Sequence, residues 1–252
     1  EKNAQGKILK AERVPAGSFF LELPDEDKAH FYGEGVVIRP FMQRFSLKKW
    51  QKDGDKGFFI KSMMADNLNI DLKDTNGSFN CGRPAGYIKD FKSLSEDVQK
   101  QITAIDRMRS VFGTVTFNKV INSDGTDSDR EFKDVPFIWE ITSATAFKIV
   151  GETFKTLSGM KRLPVQHKIS LTTNEMKSPK GSFFVPKLNI NYDQVLTVSE
   201  KDQEIFGNFI SWIENFNEYV STSWDEKTRN KVSEEDMKVV DEFIEVDDDA
   251  EK

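Results

Sequence analysis

Cysteine is almost missing from this chain. Cys81 is the one thiol in 252 residues, which excludes a disulfide framework and fits a reducing, cytoplasmic setting. Histidine is nearly as scarce, with only His30 and His167. A structural zinc site needs about four ligands at close spacing, so none is expected from side chains this few and this scattered. No run of about 18 apolar residues occurs, leaving no candidate for a membrane-spanning helix. No charged-then-apolar leader opens the sequence either. The phosphate-cradling Gly-x-x-x-x-Gly-Lys-Ser/Thr loop and the Gly-x-Gly-x-x-Gly fingerprint are both absent. Three catalytic alternatives can be written down. One pairs Cys81 with His167. Another places a metal ion among Asp66, Asp71 and Asp74. The last uses a calcium-like spacing at Asp124–Asp129, which lacks its closing Glu. A buried inert thiol and ordinary Asp/Asn-rich loops account for the same residues, so the expectation is no enzyme, no cofactor and no metal.

What is present is charge, unevenly placed. The formal net charge is −6, yet from Lys231 onward ten acids face three lysines, and the first 230 residues are close to balance. The acidity therefore belongs to the C-terminal end, and the body is free to hold basic patches. One such patch is Val36–Ala65, where Arg39, Arg44, Lys48, Lys49, Lys52, Lys56 and Lys61 outnumber two acids. Phe41, Phe45, Trp50, Phe58 and Phe59 sit between those cations. Its middle, KKWQKDGDKGFFIK, reads as two strands around a tight Asp53-Gly54-Asp55 turn. A second basic hairpin follows, with Val165–Thr173 and Ser182–Ile190 flanking the turn sequence SPKG. Cations neutralise phosphates and flat rings stack on bases of any sequence, so such hairpins suit a single-stranded nucleic acid. The plainer alternative is an antiparallel sheet with a lysine-coated outer face.

The remaining periodicity predicts three helices. Val98, Ile102, Ile105 and Met108 share a helical face over Ser95–Arg109. Phe147, Val150, Phe154 and Leu157 do so over Ser143–Leu157, with Gly151 a weak point. Ser199–Val220 carries the strongest stripe, capped by Ser199. A strand is expected at Ser18–Leu23, and two more at VFGTVTFNKVI and EFKDVPFIWEI. In the latter, Pro136 requires an edge or a bulge. The chain so read is a β-rich α+β protein on an OB-like barrel with added hairpins. It comprises a flexible arm (1–18), a nucleic-acid-binding domain (19–224) and a disordered acidic tail (225–252).

The basic aromatic strands at 36–65 and 165–190, the tail at 232–252, and the block FNCGRPAGYIKDF before a helix resemble the single-stranded DNA-binding proteins of T7-like phages. That family combines an OB-type barrel with an acidic tail that competes for the DNA groove or docks replication proteins. The resemblance implies non-sequence-specific binding of single-stranded DNA in phage replication or recombination, within the host cytoplasm, with a homodimer as one possible assembly. Family tails often end in an aromatic residue, whereas this one ends Asp249-Ala250-Glu251-Lys252 with Phe243 well inside. The DNA-binding residues expected are Arg39, Arg44, Lys48, Lys49, Lys61, Lys161, Arg162 and Lys168 for phosphates. Phe45, Trp50, Phe58 and Phe183 are expected to stack, with His167 beside them. A structural or assembly protein making protein contacts only is the alternative.

Overall fold

The computed structural model describes residues 14–23, 29–54, 56–179 and 181–229. Residues 1–13 of the expected arm and residues 230–252 of the expected tail lie outside these. Nine strands and three helices are present among the described residues. They are β1 (Phe19–Leu23), β2 (Ala29–Gly33), β3 (Val36–Asp53), β4 (Lys56–Lys61), α1 (Glu96–Thr103), β5 (Ile105–Phe117), β6 (Ile121–Asn122), β7 (Val135–Ile141), α2 (Ala144–Gly159), β8 (Ile169–Ser178), β9 (Gly181–Ile190) and α3 (Glu200–Arg229). One sheet has the order β1-β2-β6; the other runs β7-β5-β3-β8-β9, with β4 also paired to β3. The α+β class expected from sequence holds. The OB-like barrel does not: the larger sheet ends at β7 on one side and β9 on the other, and no barrel closes among the described residues. Pro136, which cannot donate to a ladder, lies in the end strand β7, where its missing N–H is tolerated.

The chain divides into two compact units, one formed by Glu1–Gln43 and Arg109–Phe209, the other by Arg44–Met108 and Ile210–Lys252. In the first, alternation on β7 turns Val135, Phe137 and Trp139 inward, and they pack on a core of Phe31, Val36, Ile38, Val115, Phe117, Phe132, Ile169 and Leu171. Helix α2 covers Val111 and Ile141 with Ala146, Val150 and Phe154. Gly151, the weak point of that helix in sequence, has a packing reason. A Cβ there would come within 2.6 Å of the Arg109 Nη2. The buried Arg109 guanidinium lies 4.4 Å from the Phe147 ring centroid and donates to Gln43 Oε1. Burial pushes its pKa below the usual arginine value.

The helix expected over Ser95–Arg109 is half right. It stops at Thr103, and Ile105 begins the most heavily buried strand, with Met108, Val111 and Phe112 at 1% exposure or less. Ile105 and Met108 fit a helical stripe by spacing, but backbone pairing of this run with β7 from Arg109 onward decides its conformation. In turn Val98, assigned to the apolar stripe, is exposed.

Ser199 and Asp202 cap α3 reciprocally. The Ser199 hydroxyl accepts from the Asp202 N–H at 3.2 Å, while Asp202 Oδ2 accepts from the Ser199 N–H at 2.8 Å. The other carboxylate oxygen takes Arg39 at 2.9 Å. Burial alone would raise the Asp202 pKa, but the Ser199 hydrogen bonds and the Arg39 charge outweigh it and hold it below the ordinary carboxylate value. A carboxyl depressed in the folded state stabilises above its unfolded pKa, and that stability is lost as pH falls through the folded one. Asp202→Ala is therefore expected to cost about 2 kcal/mol at pH 7. The gap to the parent protein should narrow as pH falls below the ordinary carboxylate range, as read from urea midpoints at neutral and acid pH; a gap independent of pH would refute the assignment.

In the second unit Leu47, Ile60, Cys81 and Ile105 form a small core. Asn217 of α3 both accepts from the Met64 N–H (2.7 Å) and donates to the Met64 carbonyl (3.0 Å). Trp224 donates its indole N–H to the Ser78 carbonyl, and Lys73 lies 4.5 Å from the Trp224 ring centroid while pairing with Asp225. These contacts explain why α3 continues to Arg229, past the end expected at Val220.

Candidate nucleic-acid interface

The end of β3 and the whole of β4 form a two-stranded ribbon in the second unit. Register fixes its faces, since directly paired residues in an antiparallel ladder point the same way and neighbours alternate. Trp50 pairs with Phe59, Lys48 with Lys61 and Lys52 with Gly57, so one face carries Trp50, Phe59 and three lysines. The other face carries Lys49, Gln51, Phe58 and Ile60, and it dips into the core at Ile60. Trp50 is 52% exposed, Phe59 45% and Phe58 44%, values that single out side chains a ligand can reach. Trp50 and Phe59 meet edge-on at 4.7 Å, and the Lys48 Nζ stands 5.0 Å from the Phe59 centroid. The indole lies so close over Gly57 that a Cβ there would sit 2.1 Å from it, which fixes the ring's position without covering its outer surface.

The first unit carries the other ribbon, β8 and β9. Its first rungs, Ile169–Ile190 and Leu171–Leu188, belong to or pack against the core. From Asn174 onward β8 is exposed throughout, and Met176, Phe183 and Phe184 are 45%, 40% and 41% exposed. Phe184 leans on the Gly17 backbone, which the Thr173 hydroxyl holds through a 2.7 Å bond to its carbonyl. Phe184 also borders an apolar cleft of about 430 Å³ lined by Phe19, Phe117, Phe137 and Trp139.

Several residues expected to touch DNA have other employment. Arg39 is mostly buried: its Nε donates to the Val165 carbonyl, Nη2 to the Thr197 carbonyl, and Nη1 pairs with Asp202. Its function is to anchor the start of α3. Arg44 pairs with Asp66 at 2.8 Å and Arg162 donates to the Tyr192 carbonyl. Phe45 is half-buried, its backbone bonded to Ala65. His167 has no exposed surface, so it cannot stack on a ligand; it packs 6.3 Å from the Tyr192 ring. Lys48, Lys49 and Lys61 are half-buried, while Lys161 and Lys168 are exposed. Met176 is not among the residues expected; Phe59 and Phe184 are the neighbours of Phe58 and Phe183, and sequence leaves open which of each pair faces outward, although a tight turn at Asp53–Lys56 already places Phe59 across from Trp50.

Cys81 and the Asp66, Asp71 and Asp74 carboxylates have partners of their own inside the fold. Burial, and then the charge of Asp74, pushes the Cys81 thiol up to about 12, which leaves it protonated and unreactive at neutral pH. Asp74 is fully buried and accepts the N–H groups of Asn76, Ser78 and Cys81; Asp71 accepts from Asn80, and Asp66 pairs with Arg44. Among the described residues no three His, Cys, Asp or Glu side chains group so as to hold a metal ion, and no helix is long and apolar enough to cross a membrane. No protein-family model matches this chain, and neither does any curated protein or solved structure.

Proposed function

We propose that this protein binds single-stranded DNA without sequence preference, as a non-enzymatic factor in phage DNA replication or recombination. The observation that carries the reading is the Trp50–Phe59 pair: two half-exposed rings on one ribbon face, with Lys48, Lys52 and Lys61 around them. Stacking on rings is indifferent to base identity, and lysines spaced along a strand meet successive phosphates. Of the phosphate-binding residues expected from sequence, this reading keeps Lys48, Lys49, Lys61, Lys161 and Lys168. The acidic tail competes for the same cations or docks partner proteins. The test is a gel-shift titration with a labelled single-stranded oligonucleotide at two salt concentrations, with duplex as competitor. Binding should weaken steeply with salt, with a log–log slope near −2 to −4 for roughly three to five phosphates neutralised, and duplex should compete poorly. Removing residues 232–252 should tighten binding at low salt, and unchanged affinity would dismiss the competing role of the tail.

An assembly protein making protein contacts only is the second reading. Trp212 and Tyr219, 42% and 62% exposed on α3, favour it. It predicts no salt-dependent retention of single strands.

A further inference from the structure

The two ribbons match each other along their returning strands. In the first, Asp53–Lys56 is the pair nearest the turn; in the second it is Ser178–Gly181. Counting from those pairs, the second rung of each outgoing strand is a lysine, Lys52 or Lys177. The third and fourth residues of each returning strand are Phe58-Phe59 and Phe183-Phe184. The fifth, Ile60 or Val185, is 3% or 5% exposed and ends the free tip. The four rings fall within a narrow span of exposure, 40–45%, although the ribbons are built from segments more than a hundred residues apart. The dipeptide alone is not the signal. Phe19-Phe20, after Gly17-Ser18, also opens β1, and there Phe20 lies 5.4 Å from the His30 ring.

The matched tips differ in their partner strands. Opposite Phe59 stands Trp50, and three lysines share that face; opposite Phe184 stands Glu175, and opposite Phe183 stands Met176. Among the described residues the second tip thus carries the rings and a polarisable methionine with fewer cations, Lys177 standing exposed on its second rung and Lys187 beyond Val185. Each ribbon is built from strand segments of its own compact unit.

Resting on the reading above, we infer that the β8–β9 ribbon is a second, independently acting foothold for single-stranded DNA, making one chain bivalent. Bases stack on the rings of either tip, and the β8–β9 foothold depends less on salt because fewer phosphates are neutralised there.

The test is stoichiometry, by calorimetric titration of the full chain with an oligothymidylate of about six nucleotides, short enough for one foothold. The parent protein should take two oligonucleotides per chain. Phe183→Ala/Phe184→Ala should take one, Trp50→Ala/Phe59→Ala should take one, and the fourfold variant none. The step that survives in Trp50→Ala/Phe59→Ala should have the shallower salt slope. Because Phe184 leans on Gly17, Phe183→Ala alone serves as a second variant should the double one unfold. One oligonucleotide per chain, unaffected by Phe183→Ala or by the double change, overturns the second foothold while leaving single-strand binding standing. No binding by the parent protein overturns the functional reading itself.

Discussion

Trp50→Ala/Phe59→Ala is expected to weaken binding of a single-stranded oligonucleotide at the β3–β4 ribbon by roughly thirtyfold or more while leaving the fold intact. Each base–ring stack contributes about 1–3 kcal/mol. Losing two such surfaces removes at least about 2 kcal/mol, and every 1.4 kcal/mol is tenfold in affinity. The cost to stability is small by comparison. Both rings are half in solvent already, and their edge-on contact at 4.7 Å is worth about 1 kcal/mol. The two quantities separate the readings. A ring that serves the core would lower the thermal midpoint and affinity together; a ring that serves a ligand would lower affinity alone. Trp50→Phe keeps a flat surface over Gly57 and should recover most of the loss. Affinity unchanged in the double variant, measured by fluorescence anisotropy at low salt, would end the stacking proposal. Loss of self-association in its place would turn the rings over to protein contacts.

The lysines on that face should behave differently from the rings. Lys48→Gln or Lys52→Gln lowers the salt slope by somewhat less than one for each phosphate left without its cation, and affinity converges on that of the parent protein at high salt. The two kinds of change are thus separable along the salt axis, and neither depends on Arg39, whose donors are already used inside the fold.

Local pattern revealed much of this molecule. The alternation Val135, Phe137, Trp139, Ile141 gave the buried face of β7, and the turn residues between the hairpin strands gave both ribbons. Composition also marked where charge and rings coincide. What it could not give is which cations are spoken for. Arg39, Lys48 and Lys49 look alike in sequence, yet Arg39 is held by groups more than a hundred residues away, Val165, Thr197 and Asp202. Guanidinium groups suit such buried, multiply bonded positions, and the three expected arginines all proved engaged, whereas exposed lysines remained on the ribbon surface. His167 failed for a related reason: a polar residue beside basic neighbours reads as surface, but its alternation partners Ile169 and Leu171 face the core, and it follows them inward. The barrel was inferred by analogy, and closure depends on strand pairings that no local pattern encodes.

Gly113→Ala is expected to be the most damaging small substitution in the first unit, at about 3 kcal/mol. Gly113 sits in the buried middle of β5, paired with Phe137 on one side and facing β3 on the other. Across from it is Pro40, an unusual residue for an interior strand because it offers no N–H to a ladder. A Cβ on residue 113 would lie 2.2 Å from the Arg39 carbonyl oxygen and 2.8 Å from the Pro40 Cα. Both are backbone atoms, so no rotamer change relieves the overlap, and the strands would have to part. Gly207 in α3 provides the opposite case: nothing lies within 4 Å of its would-be Cβ. Gly207→Ala should therefore stabilise by roughly 0.5–1 kcal/mol through helix propensity and the restricted unfolded chain. Urea midpoints of the two variants should move in opposite directions. A neutral Gly113→Ala would mean that β3 and β5 are not in contact at Pro40, and the anchoring of Arg39 beside it would need to be redrawn.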